Sequence, residues 1–96
     1  MATEGFLTLY NEYYSKCADI FRKHPDLLIH LVLRKKGKTD DLQKRINTTF
    51  SITLSKDKIE TTLGYRRSTL DTLNELQNVI CNRYAFERTR EHMKQN

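Results

Sequence analysis

Apolar residues recur at spacings of three and four through most of the chain, which is the signature of amphipathic helices. The first such stretch predicts a helix from about Glu4 to Lys23. Phe6, Tyr10, Tyr13, Cys17, Ile20 and Phe21 form its stripe, and Leu7, Leu9 and Tyr14 widen it. A face that broad must pack on more than one neighbour. His24-Pro25-Asp26 breaks the pattern. Proline suits a first helical position because it has no amide hydrogen to satisfy there, and Asp26 suits the positive end of the helix dipole. Leu27, Leu28, Ile29, Leu31, Val32 and Leu33 then give a short helix that is apolar on most sides, expected to be the central one. His30 among them reads as a satisfied, partly exposed side chain. Arg34-Lys35-Lys36-Gly37-Lys38 ends that helix with cations and a glycine.

Thr39 is placed as an N-cap, with Asp40 and Asp41 in the first turn of a third helix. Leu42, Ile46 and Phe50 are its expected buried line. From Thr49 to Leu54 the pattern alternates apolar and polar with β-branched residues, a strand-like period. Ser55 ends it as a further N-cap. Downstream, Leu73, Leu76, Ile80 and Tyr84 keep helical spacing, as do Val79, Phe86 and Met93. With no glycine or proline to interrupt it, this segment is expected to be one helix from Arg67 to about Met93. A hairpin turning at Asn82-Arg83 is the competing reading. Together these elements predict a small all-α bundle of about five helices in a single domain, residues 1–96, with a possible short strand near 49–54.

Ser55 to Leu76 is the stretch around which a functional reading gathers. Ile59 and Leu63 lie four apart on one helix, while Leu70, Leu73 and Leu76 fall at helical spacing on the next. Between them Gly64 stands where a tight turn would need positive φ. Ile59, Leu63, Tyr65, Leu70 and Leu73 at these intervals resemble the helix-turn-helix family of DNA-binding domains. A strand before the unit and a hairpin after it would suit the winged-helix variant. The resemblance covers about a quarter of the chain. It implies that Tyr65, Arg66, Arg67, Ser68, Thr69, Asp71 and Thr72 meet the major groove, the arginines on guanines or phosphates and the hydroxyls on phosphates or bases. One position departs from the family: Glu60 stands where a small residue usually lets the helices approach, so either the helices splay or Glu60 faces solvent.

Charge agrees with that reading without proving it. Seventeen basic and twelve acidic residues give a formal net charge of +5, compatible with phosphate backbones or acidic protein surfaces. Arg34, Lys35, Lys36 and Lys38 form the densest positive cluster. In a DNA complex they would hold phosphates and fix register. The expected partner is therefore double-stranded DNA, in a transcriptional or replication regulator that often works as a homodimer. The alternative is a small protein-interaction module using the tyrosine-rich first helix or the C-terminal helix, since tyrosine and arginine are favoured at interfaces. RNA binding by a basic helical surface is a third reading, without the aromatic sheet platform of single-strand readers.

No catalytic constellation is visible. His24, His30 and His92 are scattered, and there is no phosphate-binding glycine loop, no His-Glu-x-x-His and no Cys-x-x-Cys. The chain reads as a non-enzyme without cofactor or metal. Cys17 and Cys81 sit in apolar surroundings and read as buried hydrophobes. No apolar signal region or membrane-length run is present. The expected setting is intracellular and reducing, in cytoplasm or nucleus.

Overall fold

The computed structural model describes the backbone of residues 2–33, 39–64 and 68–94, and the side chains of residues 5–30, 39–64 and 68–94. It is all-helical, with α1 over Ala2–Lys23, α2 over Leu27–Leu33, α3 over Thr39–Phe50, α4 over Lys56–Gly64 and α5 over Thr69–Lys94.

The first and last helices make the backbone of the bundle. Phe6 meets Phe86, the Tyr10 hydroxyl donates to Asn82 Oδ1, and the Tyr14 hydroxyl donates to Asn78 Oδ1 at 2.8 Å. Each step of four up α1 is a step of four down α5, so the two run antiparallel in register, one face in contact at every turn. Tyr13 packs edge-on to Tyr84, 6.4 Å between centroids. The tyrosine-rich face of α1 is therefore largely spent on α5.

The central helix is α5, not α2. Leu76, Val79, Ile80, Cys81, Ala85 and Thr89 are buried, spread round more than one face because α5 is packed by α1, α2 and α4. In α2, Leu28 is buried but Ile29 is 47% exposed, and the side chains of residues 31–33 lie outside the described residues; the central place expected of α2 is taken by α5. Seven residues are too short to be surrounded, whereas α5 at 26 residues can serve several neighbours at once. Pro25 and Asp26 form the turn before α2, where the Asp26 carboxylate takes the His30 ring at 2.9 Å.

The alternating stretch is not a strand. Helix α3 runs on through Phe50, with Leu42, Ile46 and Phe50 buried as expected. It stops in a Schellman-type ending: Ser51 adopts φ 53°, and Ile52 N–H donates to Asn47 O at 3.1 Å. Arg88 of α5 donates to the carbonyls of Phe50 and Ser51, supplying partners that the last turn lacks. Residues 52–55 then return along α3. Ile52 and Leu54 are buried and Thr53 is exposed, so the period of two is real. Among the described residues no strand pairs with it. Instead Asn47 mimics one: its Oδ1 accepts Leu54 N–H at 2.9 Å and its Nδ2 donates to Leu54 O at 3.1 Å, where Gln43 Nε2 donates as well. Lys56 ends the return beside Asp40, 2.9 Å away. The hydrogen bond that Lys56 donates to Asp40 is the main reason that the Lys56 pKa lies above its ordinary value.

The competing hairpin near Asn82 is absent, because α5 passes through 79–89 unbroken. Phe21 against Phe50, at 5.3 Å, closes the core between α1 and α3.

Candidate functional site

Ser55 caps α4 as expected, accepting Lys58 N–H at 3.1 Å. Ile59 and Thr62 face inward, and Thr62 Oγ1 donates a hydrogen bond to Lys58 O at 2.8 Å. Glu60 is exposed, which settles where its carboxylate goes. Two expectations for the helix pair change. Gly64 is the last residue of α4 and has no positive φ; the helix continues through it rather than turning on it. Leu70 is 67% exposed. Leu73 and Leu76 supply the packing one turn later, so the first turn of α5 stands clear of the core.

Of the candidate DNA contacts, Ser68, Thr69, Asp71 and Thr72 are described. Ser68 is the N-cap of α5: its Oγ accepts Asp71 N–H at 3.1 Å. Thr69 and Asp71 are exposed and Thr72 is half-buried. Tyr65, Arg66, Arg67, Arg34, Lys35, Lys36 and Lys38 lie outside the described residues. From Thr69 to Asn82 the only charged side chains are Asp71 and Glu75. The exposed start of α5 thus offers hydroxyls, amides and carboxylates, and the cations come from the connection before it.

The charge distribution along the chain is uneven. Six of the seventeen basic residues fall in the two connections, four in 34–38 and two in 66–67. The other eleven are outnumbered by the twelve acidic residues. All of the positive excess therefore belongs to those two short segments, one leading into α3 and the other into α5.

A second feature was not anticipated. An open groove of about 680 Å³ runs along α5 between Tyr10 of α1 and the 53–55 return. Tyr10, Leu54, Val79 and Phe86 are the apolar part of its lining, and Lys58, Arg83 and Glu75 the charged part. Burial raises the pKa values of Tyr10 and Tyr14, whose hydroxyls are committed to Asn82 and Asn78. Arg83 and Arg90 each lie 5.5 Å from the Phe86 ring centre. The spacing of Val79, Phe86 and Met93 marked one stripe of α5; that α1 leaves part of it uncovered depends on the antiparallel register.

Among the described residues no group of three or more histidine, cysteine or acidic side chains could hold a metal ion, and no helix is long and apolar enough to cross a membrane. No family model, curated protein or solved structure matches the chain. What the fold itself defines is a small all-α bundle with a capped helix pair, α4 and α5, joined by a basic connection.

Proposed function

We propose that this protein binds double-stranded DNA, as a regulator, with the start of α5 directed to the major groove. One observation carries the reading: the chain's whole positive excess sits in two connections, and one of them opens directly onto the exposed, Ser68-capped start of α5. Arg66 and Arg67 are assigned to guanine edges or phosphates, Thr69 to phosphates or bases, and Arg34, Lys35, Lys36 and Lys38 to phosphates. Asp71 is compatible with that docking as an acceptor for a cytosine amino group. The test is a titration against mixed duplex DNA at several salt concentrations. Six phosphate contacts would give a log–log slope of about −5. Arg66→Ala with Arg67→Ala should shallow it by about 2 units and weaken binding at least tenfold. Unchanged affinity and slope in the double variant would refute the assignment.

A second reading, a protein-interaction module, is favoured by the groove along α5. Its apolar and mixed-charge lining suits a short segment of a partner protein. Phe86→Glu would abolish capture of such a partner while leaving duplex binding intact, so one variant separates the two readings.

A further inference from the structure

Helix α5 carries opposite charge in its two halves. Asp71 and Glu75 give residues 69–82 a formal charge of −2, while Arg83, Arg88, Arg90 and Lys94 against Glu87 and Glu91 give residues 83–94 one of +2. Arg83 is spent on Glu87, and Arg88 on Glu91. Glu75 and Arg90 are exposed, and among the described residues neither takes part in an ion pair. Glu75 lines the groove with Val79 and Phe86. Arg90 lies 5.5 Å from the Phe86 ring centre and lines a smaller cavity that continues the groove past Thr53 and Arg83, which border both. Steps of four, seven and four place positions 75, 79, 86 and 90 along one side of the helix.

These four positions are symmetric about the peptide between Asn82 and Arg83. Val79 and Phe86 are equally distant from it in sequence, and so are Glu75 and Arg90. A second α5 laid antiparallel across the first, on a two-fold axis beside that peptide, sets Glu75 opposite Arg90 and Val79 opposite Phe86. Each contact is then made twice, and the assembly closes at two chains. Phe86 is 36% exposed, so its free surface would be covered in such a pair. Parallel pairing would instead oppose like charges at both ends of the helix.

We propose that the groove along α5 is a self-association surface, occupied by a second copy of this chain in a two-fold dimer with the α5 helices antiparallel. The proposal rests on the protein-interaction reading of the groove and names its partner; duplex binding is not required for it.

The test is the mass of the full chain by sedimentation equilibrium, without DNA, from micromolar concentrations to about 1 mM. The expected result is a concentration-dependent passage from one chain to two that weakens as salt rises. Glu75→Arg alone and Arg90→Glu alone should each weaken the dimer at least about tenfold, because each opposes like charges at both symmetric contacts. Both side chains are exposed, so neither change disturbs the core. Mixing the two variants should restore association, since both contacts of the mixed dimer again join opposite charges. Damage to the fold would not be undone by mixing. A chain that stays monomeric throughout, a dimer indifferent to either charge reversal, or variants that fail to associate when mixed would each overturn the proposal. If the chain stays monomeric yet captures a different polypeptide through Phe86, this proposal falls while the interaction reading stands.

Discussion

Thr53 and Glu87, 34 positions apart in the chain, meet at a single oxygen. Glu87 Oε2 accepts the Thr53 amide at 2.8 Å and the Thr53 hydroxyl at 2.9 Å. Arg83 Nε donates to the same oxygen at 2.6 Å. This carboxylate ties the return after α3 to α5, and it carries a pH signature. Burial acts to raise the Glu87 pKa, but the two Thr53 hydrogen bonds and Arg83 outweigh it, leaving the carboxyl below its ordinary value. A depressed folded pKa means that the stabilisation is full above the unfolded value of about 4.3 and is lost as pH falls through the folded one. Urea midpoints should hold between pH 7 and about pH 5, then drop in acid. Glu87→Gln should flatten that acid limb, and urea titrations of both proteins across the range check it.

Asn47 does for Leu54 what a neighbouring strand would do, satisfying both its amide and its carbonyl. Asn47→Ala leaves the Leu54 amide without its side-chain acceptor in a part-buried site. A loss of about 1–3 kcal/mol is expected, read from denaturant melts. Gln43 keeps a donor on the Leu54 carbonyl, so the loss should be smaller than that of Asn47→Ala combined with Gln43→Ala.

Two backbone positions carry residues opposite to their local conformation. Ser51 adopts φ 53° in the position after α3 that favours glycine, while Gly64 is helical with open space where a Cβ would stand. Ser51→Gly and Gly64→Ala should each raise stability by about 0.5–1 kcal/mol. Thermal melts of the singles and the double would show near-additive gains if the positions act independently.

Thr89 is fully buried in α5, and its hydroxyl has no hydrogen-bond partner. Valine keeps the shape and removes the unsatisfied group. Thr89→Val should therefore raise the unfolding free energy by about 1 kcal/mol. Thr89→Ala should fall below Thr89→Val, because it also opens a cavity. Calorimetry of the pair tests both statements.

The sequence by itself determined the helices. Their apolar periodicity, the Ser55 cap, the acidic first turn of α3 and the lack of breakers after Ser68 are local signals, and local geometry answers them directly. It also determined that Leu42, Ile46 and Phe50 would be buried. Only the tertiary structure decided which helix is central. An apolar run shows that a surface must be covered but not how many neighbours cover it, so α2 looked enclosed until α5 proved to be the shared partner. The stretch from Thr49 to Leu54 illustrates the same limit: alternation reports two unlike sides, not a sheet, and its partners are side chains of α3 and α5. At the candidate DNA site the outward-facing start of α5 was legible from helical spacing, whereas its cap at Ser68 came from the structure. The Leu70 expectation failed because the first turn of α5 extends beyond the helices that bury Leu73 and Leu76. The groove beside Phe86 follows from the antiparallel register of α1 and α5. That register is a contact between the two ends of the chain, which no local pattern encodes.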